Sequence, residues 1–334
     1  MTVLPPAAIE GGRISIHGER FPLERPQLPV VRIGDAPARI VFASSSRLDV
    51  IVPAGLPAGP APLRIDDVAG EAAFVDIAAP FASGLHQVDN PVFDRDGHLY
   101  VTFSGTRGQQ VPVSIFRVTR TGTRETFSSG IVNPTSMAMG PDGRLYVSSR
   151  FEGTVYRVAP DGSAEPFATD LGVACGLAFS PDGALFVGDR SGTIFRVDRH
   201  GKTTTFASLP SSVAAFHLAV APDGVLFVTG PTLGSYDAVY RLTMDGGISE
   251  LYVGFGRPQG IAFDTSGALH VVEALAGSSG VYRFGGDGAP ELAVAGPGLV
   301  GVAFDSRGTM VVCSNDTAYR LPVQSRPHGA TLPA

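Results

Sequence analysis

The stretch GLAFSPDGALFV, residues 176–187, reads as two short apolar strands joined by a tight turn. Asp-Gly supplies the left-handed backbone conformation that a two-strand turn needs, and apolar runs flank it on both sides. The same template occurs six times: NPVFDRDGHLYV (90–101), SMAMGPDGRLYV (136–147), the quoted stretch, HLAVAPDGVLFV (217–228), GIAFDTSGALHV (260–271) and GVAFDSRGTMVV (301–312). The turn glycines, Gly97, Gly143, Gly183, Gly224, Gly267 and Gly308, are spaced 46, 40, 41, 43 and 41 residues apart. A repeat of about 40 residues with several short strands per unit marks a β-propeller, since one such unit cannot bury both faces of its own sheet.

A third strand follows each pair: IFRV, VYRV, IFRV, VYRL, VYRF and AYRL. Fourth strands are visible in RETFSS, AEPFAT and KTTTFAS, but none follows AYRL at 318–321. The missing one lies before the first repeat. AAPFASGLHQVDNPVF (78–93) aligns without gaps on AEPFATDLGVACGLAF (164–179), setting Phe81 on Phe167 and Phe93 on Phe179. The strand near 78–83 is therefore expected to complete the last blade and remove an exposed sheet edge. The expected architecture is all-β: a six-bladed propeller over 78–322 closed by an N-terminal strand, with a disordered tail at 323–334. Residues 1–77 do not share the template. Their short runs GRISIHG, PVVRIG, ARIVFA, RLDVIVP and APLRID, broken by Gly and Pro, predict a small Ig-like β-sandwich.

Composition excludes several function classes. The chain has 334 residues and a net charge of −6, Lys202 is its only lysine, and like charges form no block. That argues against a nucleic-acid surface or a polybasic membrane anchor. No apolar run is long enough to span a bilayer, and MTVLPPAAIEGG lacks the basic and apolar regions of a secretory signal. A cytoplasmic location is the default expectation, with secretion or a periplasmic location left open. Cys175 and Cys313 make no disulfide framework and no C-x-x-C pair.

Repetition separates architecture from function. The six third-strand arginines (Arg117, Arg157, Arg196, Arg241, Arg283, Arg320) and the Asp-Gly turns recur, so blade structure explains them. Individuality is concentrated in SGTRGQQVPV (104–113), SRFEG (149–153), GPTLGSYD (230–237) and EALAGSSG (273–280), which share the face opposite the Asp-Gly hairpins. A ligand site belongs there, at the mouth of the central channel. The residues opening the inner strands, Asp89, Thr135, Cys175, Phe216, Gln259 and Val300, are expected to ring that mouth. Asn90, Asn133, His217 and Arg257 stand beside them, and Arg107 and Arg150 lie on the adjoining loops. Asp89 lies in the first blade and His217 in the fourth, on opposite sides of the channel, and if Phe216 faces the channel, alternation along the strand turns His217 away from it. Asp189 and Glu273 break symmetry at second-strand ends, either as loop-anchoring acids or as an acid/base pair.

The repeats resemble NHL-repeat propellers and the gluconolactonase/senescence-marker-protein family over residues 78–321. GGRISIHGERF together with VPAGLPAG resembles the IPT/TIG domain, which implies an Ig-like spacer or interaction module. The lactonase-type resemblance implies one divalent cation held by inner-strand Glu, Asn and Asp. Those positions fall on Asp89, Cys175 and Phe216, and a hard cation finds no ligand in Phe. No metal and no other cofactor is therefore expected, although Cys175, His217 and Asp89 are all valid zinc ligand types. The catalytic candidates are Cys175, His217 and Asp89, with a Cys175–His217 nucleophilic dyad as the sharpest arrangement. Two functions stand: a propeller binding a small molecule or a protein or carbohydrate partner on its loop face, and a lactonase-like hydrolase.

Overall fold

The computed structural model describes residues 1–23, 28–66, 68, 70–275, 277, 279–286 and 288–321. The expected tail at 323–334 lies outside them. All regular structure among the described residues is β-strand, and no helix is long and apolar enough to cross a membrane.

The third repeat shows how the sequence folds locally. Ala174–Phe179, Leu185–Asp189, Thr193–Val197 and Thr203–Ser208 run as an antiparallel meander, with Phe179 opposite Leu185 and Gly183 at φ +83° in the turn between them. Five such four-stranded sheets stand by themselves. In the last of them the outer strand is Ala79–Ser83, antiparallel to Thr317–Arg320 with Thr317 opposite Ser83. The closing strand read from the gapless alignment is thus present.

The expectation of six separate blades is corrected to five. The fifth repeat also forms four strands (Pro258–Phe263, Leu269–Glu273, Gly280–Phe284 and Pro290–Ala295), but its outer edge is not free. Ala7–Ala8 pairs in parallel with that edge and, on its other side, with Ala73–Ile77. The result is one twelve-stranded sheet containing all the strands of residues 1–77. The expected Ig-like sandwich is corrected for the same reason: those strands are hydrogen-bonded in one continuous order, which Ala36–Ala43 carries by pairing with both Arg47–Ile51 and Val31–Ile33. They enclose a core of their own that includes Ile14, Ile16, Ile33, Leu48, Val50 and Leu63.

Between neighbouring propeller sheets the inward residues of both form the core. Phe186, Ile194, Phe216, Leu218 and Val228 fill the layer between the third and fourth. Each such fully buried side chain contributes about 1.5–3 kcal/mol. The recurring arginines stay at the surface, where Arg117–Glu125 (2.8 Å), Arg157–Glu165 (2.6 Å) and Arg196–Asp182 (2.7 Å) are paired.

Candidate binding site at the channel mouth

The inner strands touch one another in a ring, which leaves their starts around one opening. Asp89, on the segment leading into the first inner strand, is 2% exposed, and His217, opening the fourth, is fully buried. They meet across the ring: His217 Nδ1 lies 2.5 Å from Asp89 Oδ1, which also accepts the Asn90 backbone N–H at 2.7 Å. A carboxylate accepts here, so Nδ1 carries a hydrogen, and in the neutral ring the lone pair is on Nε2. That Nε2 atom is buried and has no hydrogen-bond partner among the described residues.

This overturns the expectation that Phe216 lines the mouth and His217 turns away. Inner strands two, three and five each carry a register shift, at Pro134/Met137, Ala174/Leu177 and Pro258/Ile261. The fourth pairs without one, from His217–Thr229 to Val220–Leu226. One residue more or less reverses the side to which a strand residue points. Phe216 accordingly sits in the core between sheets, so close to Gly188 and Gly230 that a Cβ at either would come within 3.0 Å of its side chain.

Cys175 is 1% exposed, and its thiol donates to the Val173 carbonyl at 3.2 Å. Burial, then the nearby Asp89 charge, pushes the thiol up to about 12. A thiolate nucleophile is not prepared there, and the proposed dyad loses its physical basis. The same geometry tests the cation expected of the lactonase-like families. Asp89 is engaged by His217, Cys175 offers sulfur, and Phe216 faces another direction, so these positions do not form an oxygen-donor set. Among the described residues, the Asp94, Asp96 and His98 ligand atoms do lie within 4.8 Å of one another, but on the first Asp-Gly hairpin, at the opposite face.

The remaining candidates divide into anchors and free groups. Asn133, at φ +47°, donates to Ser104 O (2.6 Å) and Thr106 O (2.7 Å) and accepts from Gly108 N (2.6 Å), closing the loop that carries Arg107. Thr135 donates to Asn133 O, and Gln259 O accepts the Thr229 hydroxyl. Asn90 ties the ring together by donating to Ile261 O at 2.7 Å and accepting from Val302 N at 2.9 Å. Asp189 takes Val173 N (2.8 Å) and the Ser191 hydroxyl, while Glu273 takes Gly256 N, Arg257 N and Leu275 N. These two acids anchor separate loops. Val300 is half-buried.

Gln87 was missed. It is fully buried, donates to Asp89 O at 2.7 Å and accepts from Thr102 N at 2.8 Å, fixing the segment that presents Asp89. Its signal was in the gapless alignment, where it stands opposite the apolar Val173. His86, which burial and then the Arg150 charge hold below the ordinary imidazole range, was missed as well. Around the opening the loop tips expose Phe151, Leu233, Tyr236 and Leu275, an apolar rim above a polar floor.

A β-propeller closed by an N-terminal strand, with a buried carboxylate–histidine pair in its channel, defines the class. Residues 93–290 match the virginiamycin B lyase family, and the chain belongs to that family. No curated protein matches it. Among solved structures it is similar to an auxiliary nutrient binding protein from Bacteroides ovatus ATCC 8483 (14% identity, TM-score 0.57, covering 96% of this chain and 97% of that one). It is also similar to a catalytically inactive variant of virginiamycin B lyase from Staphylococcus aureus with quinupristin (16%, TM-score 0.54, 92% and 98%). A proposed gluconolactonase is a third (17%, TM-score 0.59, 73% and 90%). At these identities the likeness is one of fold.

Proposed function

We propose that the protein is an enzyme of lyase or hydrolase type that takes a small cyclic molecule at the channel mouth, with His217 moving the proton. The observation that carries this reading is the His217 ring, tied at Nδ1 to Asp89 and unpartnered at Nε2. An imidazole so held has one tautomer and one orientation, and the carboxylate behind it stabilises the imidazolium that forms when Nε2 accepts a proton. In an elimination that proton comes from carbon beside the leaving group; in a lactone hydrolysis it comes from the attacking water. The membership of the virginiamycin B lyase family and the gluconolactonase-like fold support these two reactions as the ones to try. A cytoplasmic site of action and the absence of a nucleic-acid partner remain part of the proposal.

Ligand binding without turnover is the second reading. It is favoured by the burial of both His217 and Asp89 and by the exposed rim of Phe151, Leu233 and Tyr236, a surface suited to holding an apolar ligand or partner. Turnover of virginiamycin B and of a lactone panel, followed by mass spectrometry for wild type and His217→Asn, separates the two. The enzyme reading expects product from wild type and a loss of roughly 100-fold or more in kcat for the variant with little change in KM. No product from wild type, or equal rates in both, overturns it.

A further inference from the structure

The two halves of the buried pair are held by different means. His217 sits in a sheet ladder, opposite Thr229. Asp89 does not. The first inner strand is only Val92–Phe93, whereas Pro134–Met139, Ala174–Phe179, His217–Val220, Pro258–Phe263 and Leu299–Phe304 have four to six residues each. Val92 pairs with Tyr100 and Phe93 with Leu99, a register that would set Asn90 opposite Thr102 if it continued. Instead Thr102 bonds the segment before Asp89: its N–H donates to Gln87 Oε1 at 2.8 Å, and its carbonyl accepts His86 N at 3.2 Å. The backbone of Asp89 therefore lies outside the strands.

Gln87 stands in for the missing pairing. It is fully buried, and its Nε2 donates to Asp89 O at 2.7 Å while its Oε1 also accepts the Thr102 hydroxyl at 3.2 Å. Its own backbone is fixed to the sixth repeat: Gln87 N donates to Asn315 O at 2.7 Å, and Asn315 Nδ2 donates to Gln87 O at 3.0 Å. One residue thus ties the first and last repeats to the residue that carries the carboxylate. The sixth inner strand leaves that residue no slack, since a Cβ at Gly301 would lie 2.5 Å from Asp89 O. At the matching position the second repeat also has an amide, but Asn133 bonds the 104–108 loop instead, and the third repeat has Val173.

From this geometry we infer that Gln87 is a positioning residue for the proton transfer: in place of a strand ladder, it sets the Asp89 carboxylate against His217 Nδ1. The inference rests on His217 being the proton carrier and adds what holds its partner in place. The contact served is short, 2.5 Å, and joins the first repeat to the fourth. Such a bond weakens steeply with displacement. Misplacing a catalytic group by about 1 Å can cost on the order of 100-fold in rate. A buried amide with its donor and acceptor both engaged supplies the rigidity that this contact needs.

Proton NMR of the full chain in water tests it. The Nδ1 proton between the imidazole and the buried carboxylate should give a far-downfield signal that His217→Asn removes. Gln87→Met keeps the side-chain length and loses both hydrogen-bonding functions, and should shift that signal upfield or broaden it away. Asn315→Ala, at an exposed residue, should shift it the same way by less, and carries the test if Gln87→Met does not fold. Ser114→Ala removes a fully buried hydroxyl of the first repeat that bonds Ile131 N and O, and should leave the signal in place. The inference is overturned if wild type lacks the signal, or if Ser114→Ala moves it as far as Gln87→Met does. It is overturned equally if Gln87→Met lowers the unfolding temperature yet leaves the signal unmoved, or fails to fold while Asn315→Ala leaves it unmoved. Where wild type turns over virginiamycin B or a lactone, Gln87→Met should lower kcat about tenfold or more with little change in KM, and an unchanged kcat also overturns it. A wild type without turnover sinks the proposed function alone, and the signal still decides whether Gln87 positions the pair.

Discussion

The two ends of the propeller use the same residue types for opposite purposes. At the hairpin end, aspartates repeat and look after their own turns. Asp182 accepts from Ser180 and Ala184 N, and Asp198 from His200 N and Lys202 N; these donors hold both below the ordinary carboxylate range. At the mouth end, acids stand at unrepeated positions and reach outside their own turn, Asp89 across the ring and Glu273 to the start of the neighbouring inner strand. What recurs stabilises the blade, and what occurs once builds the site.

Paired substitutions can break that distinction, and the largest expected difference is between Asp89→Ala and Asp182→Ala. Removing Asp89 strands a buried imidazole and a backbone N–H, which costs about 3 kcal/mol. Asp182 has a side chain 62% exposed, so its loss should cost no more than about 1 kcal/mol. Urea denaturation of both variants measures this. Equal losses would mean that the mouth pair contributes no more to stability than an exposed turn carboxylate does.

One hairpin-end residue departs from repetition and gives the next effect. His270 stands where the other repeats have Tyr100, Tyr146, Phe186, Phe227 and Val311. It packs 4.8 Å from the Phe304 ring, and burial lowers its pKa to about 4 against the opposing pull of Asp264. The folded protein therefore holds it neutral while the unfolded chain, near 6.5, takes up a proton first. Its contribution is complete above pH 6.5 and falls away as pH drops towards 4, by an amount on the order of 2–3 kcal/mol. His270→Phe should flatten stability between pH 6.5 and pH 4, as read by thermal unfolding across that range. An unchanged slope would place the acid sensitivity elsewhere, the mouth included.

How far the sequence could be read follows from the same division. The strands, the Asp-Gly turns and the closing strand at Ala79–Ser83 were legible because each rests on a pattern repeated along the chain. The merging of the fifth repeat with the N-terminal strands was not, since a two-residue strand, Ala7–Ala8, carries no periodic signal yet joins both. At the mouth, the sequence shows which residues stand at unrepeated positions, but not the direction of His217. A single bulge missing from one inner strand interchanges Phe216 and His217, and nothing in HLAV against GLAF announces it. The error concealed the contact with Asp89 that the proposed chemistry now depends on.

The smallest expected effect compares arginines. Arg157 lies 2.6 Å from Glu165, a side chain 59% exposed, in a geometry that solvent screens. Arg157→Ala should cost about 0.5 kcal/mol at low salt. Raising NaCl to about 0.5 M, where the Debye length falls to a few ångströms, should erase that cost. Arg150 has no carboxylate partner among the described residues, so Arg150→Ala should change stability by less than that at either salt concentration. A residue that contributes little to folding and has an arginine counterpart in only one other repeat, Arg190, is free to be kept for what it binds. If Arg150→Ala instead destabilised the protein as much as Arg157→Ala does, and with the same salt dependence, Arg150 would belong to the blade framework and the two ends would differ only in sequence.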